Sequence, residues 1–294
     1  MSLIGLKQKS PRWSRDAAIR TTRAFGRVTA PARILPDFLV VGTKRGGTTS
    51  LFNYLLMHPG VLGLYPRTRQ QKSTDYFFQH QDRSESWYRS NFHTGVFRTG
   101  LARRLGYRPV SGEASPYYIW DPRIAKAAHR LNPSLKAIML LRNPVDRAFS
   151  HWQERVPHGI EPLGFAEALE AEPQRLAGEL DRMLADPLYH SDAHDWYSYR
   201  SRGIYQPQLE NWRSVFPAEQ LLVIRSEDMY ADVQSVVDQV CTFLGLPAHE
   251  LPTTKTFNAS KRLPIPEECR TELTEFYRPH NEELERYLGR SLGW

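Results

Sequence analysis

The stretch Pro36–Leu56, PDFLVVGTKRGGTTSLFNYLL, constrains the fold more than any other part of the chain. Phe38-Leu39-Val40-Val41 is a short apolar run bounded by Pro36 and Gly42, the pattern of a strand buried on both faces. A loop carrying Lys44, Arg45, Gly46 and Gly47 follows. Thr48-Thr49-Ser50 then opens a segment with Leu51, Leu55 and Leu56 on one helical face. Strand, glycine-rich turn and helix N-terminus together make an anion site, because unpaired N–H groups and the positive end of the helix dipole point into the turn. Gly46 and Gly47 let the main chain approach the anion closely, and Lys44 and Arg45 add formal charge. Two adjacent cations beside two glycines and three hydroxyls exceed what a plain connecting turn requires.

The spacing of Gly42 and Gly47 matches the GxxxxGK[ST] loop of ATP and GTP enzymes, but Thr48 stands where that motif needs its lysine. No apolar strand ends in a metal-holding aspartate of the Walker-B kind. The loop therefore suits a phosphate-like group without the usual lysine–magnesium arrangement.

A chain of 294 residues, 40% apolar, can bury one large core or two small ones. Its two cysteines, Cys241 and Cys269, make neither a disulfide framework nor a metal spacing, so a reducing compartment is expected. No run reaches the length of a membrane span, and no apolar stretch marks a secretory signal. The net charge of +7 suggests nucleic acid until its distribution is read. Residues 1–35 hold eight Lys/Arg and one acid, Asp16, and account for all of it. The remainder is neutral, so nucleic acid is not an expected partner. This tail also has Trp13, Ala17, Ala24 and Val28 at roughly helical spacing. Its functional reading is peripheral contact with an anionic membrane surface, or an organellar transit peptide. A solvated or loosely docked tail is the plainer reading and is preferred.

Beyond the tail, residues 36–294 read as a single domain. A helix from about Thr48 to Met57 ends at His58-Pro59-Gly60, and a basic, hydroxyl-rich loop runs into Tyr76-Phe77-Phe78. Pro109–Gly112 is a weak strand, and Asp121-Pro122 caps a helix to about Leu131. Leu135–Leu141 is a second buried strand, ending in Arg142-Asn143-Pro144, with a helix from about Val145 to Arg155. One acidic helical piece follows, from about Phe165 to Ala185. A helix over Tyr205–Phe216, a strand over Leu221–Ile224, and helices over Val233–Leu244 and Glu267–Leu288 complete the pattern. Strands alternating with helices predict a parallel sheet covered on both faces.

Ligands of such sheets collect at the carboxyl ends of the strands. Arg142 stands at one such end, with Ser150 eight residues on along the next helix. Arginine can fork two N–H bonds onto a phosphate and serine can add a third. Lys261-Arg262, in a loop near the C-terminus, is a weaker third group. Two well-separated phosphate-type sites suggest a ligand with two anionic ends.

These motifs resemble a known family. GTKRGGTTSL followed by MHPGV is similar to the 5′-phosphosulfate loop of sulfotransferases that use 3′-phosphoadenosine 5′-phosphosulfate (PAPS). IMLLRNPVDRAFSHW resembles their 3′-phosphate motif, with Arg142 and Ser150 in the binding positions. GEASPYY, RGIYQPQLENWRSVFP, CTFLGLP and FYRPHNEELERYLGRSLGW extend the match over about residues 36–294. The likeness is strongest to the heparan sulfate N- and 3-O-sulfotransferase branch and its bacterial relatives. It implies a P-loop-kinase-like α/β fold, three-layer α/β/α with a central parallel sheet. PAPS would be the co-substrate and adenosine 3′,5′-bisphosphate the product, with transfer to a hydroxyl or amine of a small-molecule or glycan acceptor. Lys44, Arg45, Gly46, Gly47, Thr48, Thr49 and Ser50 would hold the 5′ end, Arg142 and Ser150 the 3′-phosphate. Lys261 and Arg262 would close over the nucleotide. Without the membrane anchor of animal relatives, a soluble, cytoplasmic, bacterial enzyme is expected.

The chain departs from that family at two places. Arg45 stands where the family has the lysine that steadies the leaving oxygen; it can supply the charge but does not readily give a proton, and Lys44 before it is the alternative. The glutamate expected before the aromatic pair is replaced by Ser73 or Thr74 in KSTDYFF. Three carboxylates remain as candidate bases for the acceptor proton, in the order Asp75, Glu113, Glu154. Glu113 competes with a structural role, holding an active-site cation. His190 and His194 form an HxxxH pair beside Asp192 and Asp195, but the glutamate of HExxH is absent and the segment reads as a loop, so no metal is expected. An ATP-dependent kinase on the same fold and a non-catalytic anion-binding relative are the competing functions.

Overall fold

The computed structural model describes residues 12–66, 71–254 and 263–294, with side chains from residue 20 onward. Five strands, β1 (Phe38–Gly42), β2 (Val61–Leu62), β3 (Val110–Ala114), β4 (Lys136–Leu141) and β5 (Leu221–Arg225), form one sheet in the order β2-β3-β1-β4-β5. Every pairing is parallel, with Leu39 opposite Glu113 on one side and Ala137 on the other. The helices before the cleft wall are α1 (Arg12–Val28), α2 (Thr48–Leu55), α3 (Glu85–Arg89), α4 (Gly95–Leu105) and α5 (Ile124–Leu131). Then come α6 (Pro144–Arg155), α7 (Phe165–Leu176), α8 (Glu179–Ala185), α9 (Asp192–Trp196) and α10 (Gln206–Arg213). The chain closes with α11 (Ser226–Ala231), α12 (Val233–Leu244) and α13 (Glu267–Leu288).

Side chains alternate across a strand, so a continuous apolar run feeds two cores. Leu39, Val41, Ala137, Met139 and Leu141 pack with α5, α10 and the end of α13. Phe38, Val40, Ile138, Leu140 and Ile224 pack on the opposite face with α2 and α12. Each such Val, Leu or Phe contributes roughly 1.5–3 kcal/mol relative to exposure. A third cluster joins Phe149 of α6 to Phe165 of α7 and Tyr277 of α13, and this stiffens the helix that walls the cleft. The result is the parallel sheet covered on both faces that alternating strands and helices predict, in the three-layer form that the resemblance implies.

The differences are local. β2 is two residues long and pairs with Val110-Ser111, too short to leave a periodic signal. The acidic helical piece divides at Gly178, whose φ of +74° ends one helix and starts the next. Residues 192–196 are a helical turn rather than a loop, capped by the Ser191 hydroxyl accepting from His194 N–H at 3.0 Å. Residues 20–35 take the docked rather than the solvated form of the tail. Arg23 donates to the Tyr65 carbonyl, Asn91 and Gln71, and the buried Arg33 guanidinium donates to the Phe92 carbonyl. Among the described residues, no helix is long and apolar enough to cross a membrane.

Candidate functional site

Because β1, β4 and β5 are adjacent and parallel, their carboxyl ends deliver three loops to one edge. After β1 the chain turns through Thr43–Gly47. Thr43 N–H donates to Leu140 O at 2.6 Å and Gly46 N–H to Thr43 O at 2.9 Å. Gly47 caps α2 at φ +91°, and a Cβ there would lie 2.7 Å from both Met229 Cε and the Tyr230 hydroxyl. The φ disfavours any side chain there, and one would also have to displace the ends of Met229 and Tyr230. The first turn of α2, Thr48-Thr49-Ser50, directs its amide groups at the loop. From the β5 side, Ser226 Oγ donates to Gly46 O at 2.6 Å and fixes the turn from behind.

After β4, the Asn143 side chain accepts from Val145 and Asp146 N–H at 3.0 and 3.3 Å, and Pro144 follows at the first helical position. This cap holds Arg142 in the short link between strand and helix. Asp146, Ser150 and Glu154 recur at four-residue spacing along α6, and all three line one cleft of about 770 Å³. Lys44, Arg45, Gly47, Thr48, Thr49, Ser50 and Arg142 line the same cleft. Arg142 Nη1 donates to Arg45 O at 3.0 Å, and Arg45 Nε donates to Ser150 Oγ at 3.0 Å. The two cation groups, separate in the chain and expected at opposite ends of a ligand, are therefore in direct contact through Arg45.

Lys44 turns toward Asp195, Nζ to Oδ1 3.3 Å. Asp195 also lies 3.5 Å from Arg202 and 3.7 Å from Arg155, so it serves as counter-ion to three cations behind the loop. Lys72 was not singled out in the sequence, yet it lines the cleft with Nζ 3.3 Å from Thr48 Oγ1. Burial pushes its ammonium down to about 8, against the opposing pull of Asp75. Its position directly before Ser73-Thr74-Asp75 was the available signal. Tyr230, Phe149 and Arg270 also reach the cleft without having been anticipated.

The three candidate carboxylates sit in different places. Asp75 has a positive φ of 53°, and its Oδ1 accepts from the Ser73 hydroxyl at 2.7 Å and from Ser115 at 3.4 Å. It is not a lining residue of the cleft. Glu113 is fully buried on β3 and accepts from Thr74 N–H, from Tyr88 at 2.9 Å and from Tyr118 at 3.1 Å. Burial pushes its carboxyl up to about 7, opposed by those hydrogen bonds. It grips the loop that carries Lys72 from beneath and does not itself line the cleft. Glu154 does line it. Burial raises its carboxyl, Arg45 opposes that, and Oε2 accepts no hydrogen bond among the described residues. Lys261 and Arg262 lie outside the described residues, although Leu263-Pro264-Ile265 just beyond them border the cleft. His194 shares a 2.8 Å hydrogen bond with the Tyr117 hydroxyl and stacks on Trp120, while His190 lies 3.3 Å from Asp192. Burial and Arg202 push His194 down to about 3. No group of three metal-type side chains occurs among the described residues.

A parallel sheet whose strand ends present a glycine loop, a helix N-terminus and a cation-lined cleft defines a P-loop-like α/β protein. Within that class, the family model described as the sulfotransferase domain matches residues 35–283, and the chain belongs to that family. It is 27% identical over 315 residues to the human bifunctional heparan sulfate N-deacetylase/N-sulfotransferase 3, covering 96% of this chain and 33% of that protein. It therefore spans one third of that relative's length. The mouse heparan sulfate glucosamine 3-O-sulfotransferase 6 is 27% identical over 292 residues, covering 89% of this chain and 74% of that protein. Among solved structures, a sulfotransferase from Alicyclobacillus acidocaldarius superposes with a TM-score of 0.64 at 31% identity, over 88% of this chain and 98% of that one.

Proposed function

We propose that the domain of residues 36–294 transfers a sulfuryl group from PAPS to a hydroxyl or amine of an acceptor, a carbohydrate, glycolipid or other small metabolite. One observation carries this reading. A single cleft gathers the β1–α2 loop, Lys72, Arg45, Arg142 and Ser150, cationic groups enough for a ligand with two anionic ends, and adds one carboxylate, Glu154, whose Oε2 accepts no hydrogen bond among the described residues and lies 3.9 Å from Arg155 Nε. The loop and the α2 N-terminus hold the 5′-phosphosulfate, and Arg142 holds the 3′-phosphate. Arg45, resting on Ser150, links the two.

The acceptor's hydroxyl oxygen or amine nitrogen attacks sulfur in line. The bond from sulfur to the 5′-phosphate oxygen breaks, and its electron pair stays on adenosine 3′,5′-bisphosphate. Lys72 and the α2 N-terminus neutralise that oxygen. Glu154 takes the acceptor proton, an assignment that places it ahead of Asp75 and Glu113 because it alone of the three borders the cleft. No step calls for a metal.

Calorimetry with adenosine 3′,5′-bisphosphate, followed by labelled-PAPS transfer to a panel of acceptors with mass spectrometry of the product, tests the reading. Magnesium-dependent ATP binding without affinity for the bisphosphate selects a kinase instead. Tight bisphosphate binding with no transfer to any acceptor selects a non-catalytic relative.

A further inference from the structure

The corner where α1 meets α4 carries a surface that the fold leaves uncovered. Phe25, Val28, Ile34, Val96 and Phe97 are exposed there, Val28 and Val96 by 82% and 84%. The contacts of Arg33 and Ile34 with residues 93–95 bring Phe25, Ile34 and Phe97 to this corner. An antiparallel bridge pairs Arg33 with Thr94, and Ile34 N–H donates to His93 O at 3.3 Å. Ile34 Cδ1 would lie 3.4 Å from a Cβ on Gly95, and Phe97 stacks on His93 with centroids 4.9 Å apart. The Arg33 guanidinium lies 5.9 Å from the Phe25 ring centroid.

The opposite face of α1 is docked, and this fixes the outward one. Gly26 is buried so closely that a Cβ would sit 2.9 Å from Ser90 O, and Arg23 reaches Tyr65, Asn91 and Gln71. Gln71 precedes Lys72, so this corner and the cleft loop are tied together.

Charge borders the apolar cluster. Arg20 and Arg27 on α1 and Arg103 and Arg104 on α4 are all exposed. Arg103 and Arg104 follow Val96 and Phe97 by seven residues, two turns along the same helix face. The nearby acids are engaged elsewhere, Glu85 by Arg89 and Asp37 by Arg98 and Arg108. An apolar cluster edged by arginines that make no ion pair among the described residues matches an anionic lipid surface, where apolar groups enter the acyl boundary and cations meet lipid phosphates. A second copy fits worse, because a two-fold contact through this corner would set the arginines against their own counterparts.

We propose that the α1–α4 corner docks the protein onto an anionic bilayer. Co-sedimentation of the full chain with vesicles of phosphatidylcholine, with and without about one third phosphatidylglycerol, tests it. The protein should pellet with the anionic vesicles and be released by salt. Val96→Asp with Phe97→Asp should weaken binding about tenfold or more. Arg103→Gln and Arg104→Gln should each weaken it about fivefold. Leu184→Asp, on a separate exposed position of α8, should change nothing, and melting curves should show every variant folded. Equal pelleting with neutral vesicles overturns the proposal. So does full retention by the Val96→Asp/Phe97→Asp variant, or a dimer in sedimentation equilibrium that this variant dissociates.

Discussion

One part of the cleft is built from the sheet, and the part adjoining it is built from a loop held by a buried carboxylate, with Lys72 Nζ 3.3 Å from Thr48 Oγ1 where the two meet. Gly47, Arg142 and Ser150 follow directly from β1 and β4, and their places are set by strand pairing, a helix cap and contacts from Ser226 and Asn143. Lys72 and Asp75 sit on a connection with no regular structure, and that connection stays in place because Glu113 accepts hydrogen bonds from Thr74, Tyr88 and Tyr118. The first part has the geometry of a binding site that exists before its ligand arrives. The second can be loosened by one change in the core. If this contrast is right, substitutions in the sheet-built part should act on donor affinity, and those in the loop-built part on turnover and stability.

Lys72→Ala should give the largest effect. Removing a cation from the position of the developing negative charge costs roughly 2.7–4 kcal/mol, about 10²–10³ in kcat. Affinity for adenosine 3′,5′-bisphosphate should fall less, about tenfold, the loss of one charge-assisted contact worth roughly 1.5 kcal/mol. Single-turnover kinetics and calorimetry separate the two, and a loss confined to affinity would break the contrast.

Glu113 comes next. Its folded carboxyl, raised from 4.5 to about 7 by burial, holds its proton more tightly than in the unfolded chain. The associated stability is complete below 4.5 and is lost as pH rises through about 7, roughly 3 kcal/mol in all. Glu113→Gln should flatten that part of the Tm–pH profile while keeping an acceptor for the tyrosines. Glu113→Ala strands the two hydroxyls and the Thr74 N–H, and should lower stability at every pH by about 1–3 kcal/mol for each group left unpaired. Parallel Tm–pH profiles for wild type and Glu113→Gln would remove the titrating carboxyl from the account. In the sheet-built part, Arg142→Ala should weaken bisphosphate binding about ten- to a hundredfold, through loss of roughly 1.5–3 kcal/mol of charge-assisted hydrogen bonding, with little change in Tm. Unchanged affinity by calorimetry would remove Arg142 from the site.

The same division decides what the sequence alone discloses. The sheet-built part was readable because its information is local: four apolar residues, a turn and a helix start between Phe38 and Ser50, and an arginine directly after Leu141. The helices Val233–Leu244 and Glu267–Leu288 were legible for the same reason. Glu113 and Lys72 act through partners 39 and 24 residues away, Thr74 and Thr48, and no spacing rule reports a contact of that kind. The sequence therefore ranks Asp75 and Glu113 above Glu154, whereas only the packed structure separates a carboxylate enclosed by tyrosines from one that borders the cleft. The docking of residues 20–35 was hidden likewise: Arg23 and Arg33 read as surface charge until their carbonyl acceptors, Tyr65 and Phe92, are brought alongside.

The smallest expected effect is the most discriminating. Ser150 accepts one hydrogen bond from Arg45 Nε at 3.0 Å, so Ser150→Ala should cost about 0.5–1.5 kcal/mol of bisphosphate affinity, roughly two- to tenfold. The single variant cannot say whether the hydroxyl serves the nucleotide or orients Arg45. A double-mutant cycle can. If Ser150 acts by holding Arg45 between the glycine loop and α6, Ser150→Ala will cost nothing further in an Arg45→Gln background, and the coupling will equal the whole single-site effect. If the losses add instead, the Arg45–Ser150 contact is incidental to binding, and the link between the glycine loop and α6 drops out of the site.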